Sequence, residues 1–208
     1  VQGIMAGGMR AVYRATEASE DSPAMGRRDL ARKRLTARDA VVGLTASGRT
    51  PYVLGALGYA RSRGAAAIAL TCNPDSEVAR LADIAMAPVV GPEVIAGSTR
   101  MKAGTAQKMV LNMISTAVMV RLGHVYGNFM VNVRPKNQKL RERTRTILER
   151  LLGMDRAAAT RLLRRAGGDL KAAIVMERRQ LGRTPAQQLL HRHGGNLAAA
   201  LASVEARP

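Results

Sequence analysis

Aromatic residues are almost missing from this chain. They make up 2% of 208 residues, with no Trp and a single Phe, so the core has to be assembled from Leu, Val, Ile, Ala and Met. Ala and Leu favour helices, and a helix-rich fold is expected. The same scarcity argues against stacking on single-stranded nucleic acid. Cysteine is nearly absent too. Cys72 stands alone, which excludes an intrachain disulfide and fits a reducing cytoplasm. With no evident His partner, Cys72 reads as a small buried apolar residue. Long apolar runs are missing. The best, Met109 to Val120, is interrupted by Asn112, Ser115 and Thr116, so no membrane span is expected. No basic stretch followed by an apolar one opens the chain, and no signal peptide is read. Val1 stands where Met would open a whole chain; a fragment, or a non-standard or misassigned start, is expected.

Acidic residues are few: 15 Asp and Glu face 33 Lys and Arg, a formal charge of +18. Residues 134–208 carry +11 of it and residues 1–133 the remaining +7, so no single tail holds the charge. Such a field draws nucleic acid and small sugar phosphates alike. Hydrophobic residues are nonetheless 47% of the chain, enough to build a folded core.

Apolar runs alternate with helical patterns through the first two-thirds. Residues 1–6, 40–45, 65–71 and 84–90 read as strands. Residues 9–20, 26–35, 51–63 and 76–81 read as helices, with Pro51 in a first turn. Asn73-Pro74-Asp75 reads as a turn. Strands alternating with helices predict a parallel sheet flanked by helices, an α/β fold. A Gly- and hydroxyl-rich loop, 91–99, then precedes a long helix, 101–122, that Gly123 and Gly127 end. From Asn137 the pattern is purely helical: one helix to Leu152, then three more opened by Asp155, Asp169 and Thr184 before Pro185. This predicts an α/β domain over 1–135 and a small helical bundle over 136–208.

Three segments could carry chemistry. Thr45-Ala-Ser-Gly-Arg-Thr50 lies between a strand and a helix, where hydroxyls and N–H groups suit a phosphate. It lacks a Walker ending, and an ordinary capped turn explains it equally well. Glu93 followed by Gly97-Ser-Thr-Arg-Met-Lys102-Ala-Gly-Thr105 places hydroxyls, Arg100 and Lys102 before a long helix, again a candidate anion site. A capped loop with solvated cations is the plainer alternative, and the density of Gly, Ser and Thr favours the site. Glu17 and Glu20 share a helix face at three-residue spacing, and a carboxylate there could act as a base. On spacing alone a solvated helix end is the better reading. His124, His191 and His193 lack metal-ligand spacing.

The stretches Gly3-Ile-Met-Ala-Gly-Gly8, Glu20-Asp-Ser22, Ala46-Ser-Gly-Arg-Thr-Pro-Tyr-Val53, Cys72-Asn-Pro74, Val90-Gly-Pro-Glu-Val94, Val125-Tyr-Gly-Asn128 and above all Gly97–Lys108, in this order, resemble the N-acetylmuramic acid 6-phosphate etherases. The resemblance continues through Ala172–Met176 and His193-Gly-Gly195. It implies a sugar-isomerase-type sheet between helices, a homodimer, a phosphorylated amino sugar as substrate, and no metal or organic cofactor. The implied reaction cleaves a lactyl ether by removing the proton at C2, expelling lactate from C3 and adding water. By resemblance Glu20 matches a family catalytic carboxylate. Ser47, Gly48, Arg49 and Thr50 match the phosphate loop. Glu93, Ser98, Thr99, Arg100 and Lys102 fall in a second signature loop, where substrate contact is expected. The family also has upstream residues bearing its first strand, a glycine loop and a second catalytic glutamate. These are expected to be missing here, leaving the chain inactive or nearly so. A non-catalytic phosphosugar sensor is the main alternative. A nucleic-acid binder using the basic tail is disfavoured, since no helix-turn-helix signature is clear.

Overall fold

In the computed structural model, residues 1–14, 16–133 and 135–203 are described, Glu17 by its backbone alone. The chain divides into two compact units, Val1–Asn112 and Met113–Pro208. The division falls inside the long helix, upstream of the expected boundary at 135.

The first unit is a three-stranded parallel sheet flanked by helices. Strands β1 (Ala40–Leu44), β2 (Ala66–Leu70) and β3 (Ile84–Met86) pair in sequence order. Val42 stands beside Ile68, and Ile68 beside Ile84. The connecting helices α1 (Pro23–Ala31), α2 (Pro51–Ser62) and α3 (Glu77–Leu81) complete the layers. Leu57, Ala67, Ala69, Leu70 and Val78 are fully buried, which is why the strands read as almost unbroken apolar runs. Helices α1 and α2 pack unusually close. A Cβ on Gly26 would lie 2.0 Å from the Tyr52 carbonyl oxygen, and one on Gly55 would lie 2.0 Å from the Pro23 carbonyl oxygen. Only glycine at both positions lets the backbones meet. The Tyr52 hydroxyl donates to Asp29 at 3.0 Å across the same contact.

Two sequence expectations fail at the amino end. Residues 1–6 form no strand: an apolar run gives propensity, but a strand needs a neighbour's hydrogen bonds. Val1 to Ala6 instead line a cavity together with β1. Residues 9–20 are not one helix but two short 3-10 turns, Gly8–Val12 and Glu17–Ser19.

The second unit is the helical bundle. The long helix α4 (Lys102–Arg121) runs into it, followed by an antiparallel pair, β4 (Val125–Tyr126) and β5 (Phe129–Met130). That hairpin was not expected; Gly127 supplies its turn at φ +58°. Helices α5 (Gln138–Leu152), α6 (Arg156–Arg165), α7 (Leu170–Arg179), α8 (Arg183–Arg192) and α9 (Leu197–Ala202) follow. Asn137, Asp155, Asp169 and Asn196 each accept an amide hydrogen of the helix they open. The fourth tail helix is opened by Gly182 rather than Thr184, and α9 is additional to the four expected. Leu148, Leu170, Ile174, Val175, Leu189 and Leu197 fill the bundle core. Lys171 ties its loops, donating to the carbonyls of Gly123 at 3.0 Å and Gly195 at 2.6 Å. Its burial pushes the amine pKa down. Among the described residues no helix is long and apolar enough to cross a membrane.

Candidate functional site

A cavity of about 980 Å³ opens in the first unit beside β1. Its lining includes Glu20, Thr45, Ser47, Thr50, Thr99 and Gln107. These residues come from four separated parts of the chain. The lining follows β1 along its whole length, from Asp39 to Leu44, and continues into the loop at its carboxyl end, the end where ligands of open parallel sheets bind.

The loop after β1 is held from both sides. Thr45 and Thr50 share a hydrogen bond of 2.7 Å between their hydroxyls, and the Gly48 amide donates to Thr45 Oγ1. The loop after β2 supports it from below: the Cys72 amide and the Thr71 hydroxyl both donate to the Ala46 carbonyl, and the Val78 amide donates to the Gly48 carbonyl. Gly48 has φ +71°. A Cβ there would lie 2.2 Å from Ser76 Oγ and Cβ, so both conformation and space require glycine. Ser47 is exposed at the rim, its Oγ accepting from the Arg49 amide. Among the described residues no protein acceptor takes the amides of Ser47 and Thr50. Two hydroxyls and two open amides on a braced loop form a donor set suited to a phosphate.

Glu20 reaches the same cavity by a different route from the one expected. It lies in a turn after Glu17–Ser19, not on a helix face. The Glu20 carbonyl accepts the Tyr52 amide hydrogen at 2.9 Å, joining this turn to the first turn of α2. Ser22 then caps α1 through the Met25 amide. The expected pairing of Glu17 with Glu20 lies outside the described residues, because the Glu17 side chain is not described.

The second signature loop contributes less than its composition suggested. Thr99 lines the cavity; Glu93, Ser98, Arg100 and Lys102 do not. Arg49, Arg100 and Lys102 are exposed. Glu93 accepts the Lys102 amide on Oε2 and the Ala103 amide on Oε1, both at 3.0 Å. The bonds from Ala103 and Lys102 hold its carboxyl below the usual carboxylate value. Cys72 is half-buried, and its thiol is pushed up by that burial and by the charge of Glu93.

Two polar lining residues, Thr45 and Gln107, stood inside runs named from the sequence without a role of their own. Thr45 is buried and organises the phosphate-type loop. Gln107 donates from Nε2 to the Leu70 carbonyl at 3.2 Å, at the end of the central strand. One signal for Gln107 was available: it follows the buried Ala103 by four residues, on the same helix face.

Residues 17–117 match the SIS domain family. Over that stretch the chain is similar to SIS domains. Over 84% of its length the chain is 57% identical to an N-acetylmuramic acid 6-phosphate etherase of Symbiobacterium thermophilum, covering 58% of that protein. It is 53% identical over 85% of its length to the etherase of Clostridium beijerinckii, again covering 58% of it. With the etherase of Edwardsiella ictaluri it shares 56% identity over 85% of its length, covering 59%. The chain thus spans somewhat under three-fifths of the curated relatives it matches. The parallel sheet between helices agrees with an SIS-type fold.

Proposed function

We propose that the cavity binds a phosphorylated amino sugar, and that the chain supplies part of an etherase site. The substrate is N-acetylmuramic acid 6-phosphate; elimination expels D-lactate from C3, and water added to the unsaturated sugar gives N-acetylglucosamine 6-phosphate, in the recycling of cell-wall amino sugars. The convergence of Glu20 with Ser47, Thr50 and Thr99 on one cavity carries this reading. The Thr45–Thr50 loop takes the phosphate through hydroxyls and amides. Glu20 then stands in the same cavity as the sugar ring and moves a proton during elimination of lactate across C2 and C3. Donors on Thr99 and Gln107 are available to oxygens that gain negative charge as C2 is deprotonated.

Elimination needs a base at C2 and an acid for the departing oxygen. Among the described residues that line the cavity, only Glu20 and Asp39 are carboxylates. Asp39 accepts from both the amide and the hydroxyl of Thr36, which leaves Glu20. A missing partner acid or base costs ~10²–10⁴-fold in rate. The chain by itself is therefore expected to release D-lactate at least ~10²-fold more slowly than a full-length relative. D-lactate release measured side by side tests this, and equal turnover would reject it. The single free carboxylate also favours a second reading, a phosphosugar-binding regulator without catalysis. Binding of N-acetylglucosamine 6-phosphate with no turnover, even when the rest of a relative's length is supplied, selects that reading. A homodimer in the cytoplasm completes the proposal. The lone cysteine and the apolar side chains exposed along α4 support it, and sedimentation of the purified chain tests the dimer.

A further inference from the structure

The start of α4 looks in sequence like a second phosphate site. Its amides are already taken. Lys102 and Ala103 donate to the two oxygens of Glu93, Gly104 donates to the Thr99 carbonyl, and Thr105 donates to the Met101 carbonyl. The first three are donors a helix leaves open at its amino end, and the Thr105 bond begins the regular ladder. The chain satisfies those three itself, two through a carboxylate nine and ten residues upstream. The loop from Gly91 to Met101 has little else to hold it: Val94, Ile95 and Met101 are 76%, 70% and 62% exposed. Among the described residues its remaining backbone bond is from Ser98 to the Ile95 carbonyl. Yet this loop holds Thr99, which lines the cavity, and leads into Gln107, about a turn and a half along α4, which lines it too.

We propose that Glu93 is a positioning residue of the phosphosugar site. It occupies the anion position of α4 with its own carboxylate. In doing so it fixes the loop that presents Thr99, and it leaves the Thr45–Thr50 loop as the one place where a phosphate binds. The inference rests on the phosphosugar reading of the cavity. It adds that Glu93 touches no ligand and excludes phosphate from the second loop.

The test compares the unaltered chain with Glu93→Gln and Glu93→Ala by calorimetry, using inorganic phosphate and N-acetylglucosamine 6-phosphate as separate probes. The unaltered chain is expected to bind one equivalent of each. Glu93→Ala frees two amides at a helix terminus, so it is expected to bind a second phosphate while its sugar-phosphate affinity falls about tenfold or more. Glu93→Gln keeps one acceptor and the side-chain volume, and is expected to fall between. Added acetate, which can occupy the vacated position, restores sugar-phosphate affinity to Glu93→Ala and suppresses the second phosphate. Two bound phosphates in the unaltered chain would overturn the assignment. So would unchanged sugar-phosphate affinity in both variants. If the unaltered chain binds neither probe, the phosphosugar reading itself fails. Hydrogen exchange in the unaltered chain provides a check that needs no variant: slow exchange of the Lys102 and Ala103 amides is expected, and fast exchange contradicts the clamp.

Discussion

At the scale of single residues, Gly48 and Tyr52 show how little freedom the site allows. Gly48→Ala forces a left-handed backbone on a side-chain-bearing residue, at ~1–2 kcal/mol. It also drives a methyl into Ser76, and overpacking adds ~1–3 kcal/mol. A loss of ~2–5 kcal/mol in denaturant stability is expected from these two costs together, with phosphosugar affinity lowered as well. Tyr52 is buried, and burial followed by the bond to Asp29 pushes its phenol from 10.0 up to about 12. Folding therefore favours the neutral form. Its contribution is whole below pH 10.0 and is lost as pH rises through the folded value of about 12. Tyr52→Phe is expected to cost ~1 kcal/mol at neutral pH and to flatten the loss of stability above pH 10. Thermal melts across that range measure both effects. Glu93 acts at the other end of the scale. Its carboxyl is held low by the Ala103 and Lys102 amides, so its contribution is present above the unfolded value and disappears as pH falls through the folded one. Faster exchange of those two amides in acid is the expected sign.

At the scale of elements, the contact between α1 and α2 sets two magnitudes against each other. Gly26 sits inside a helix, where alanine would ordinarily gain ~1 kcal/mol. Here its Cβ would stand 2.0 Å from a backbone oxygen that cannot rotate away. The ~1–3 kcal/mol of overpacking exceeds the propensity gain, so Gly26→Ala is expected to lower the melting temperature. The same elements show what was legible beforehand. Strands β1 and β2 and helix α2 were readable because both faces of a buried parallel strand are apolar and Pro51 marks a first turn. The caps Asp155 and Asp169 were readable for a similar reason, since a side-chain acceptor must precede the first open amides. Residues 1–6 were not readable as coil, because an apolar run reports propensity and says nothing about a pairing partner. The carboxylate of Glu93 was read as a ligand contact. Its actual partners lie nine and ten residues downstream on the chain's own backbone, a separation with no periodic signature. Thr45 and Gln107 reach the cavity through tertiary placement of β1 and α4.

At the scale of the whole molecule, the two units differ in how their cores are closed. In the second unit Leu170 and Ala172 to Met176 are all buried within one helix, so α7 is expected to exchange its amides slowly. In the first unit β1 has, among the described residues, a neighbour strand on one side only. The Asp39 carbonyl accepts from Ala66, and the Thr45 amide donates to Leu70. Odd-numbered residues thus face β2, and the amides of Ala40, Val42 and Leu44 face the open side. Those three are expected to exchange fast, and an exposed edge of this kind invites pairing with other chains. The methionines are divided just as sharply. Met109, Met113 and Met119 on α4 are 59%, 59% and 41% exposed, whereas Met176 in the bundle is 5% exposed. Peroxide converts an exposed thioether to a polar sulfoxide long before it reaches a buried one. An apolar stripe on a single helix can therefore be made hydrophilic by mild oxidant and restored by a sulfoxide reductase, while the bundle core stays reduced.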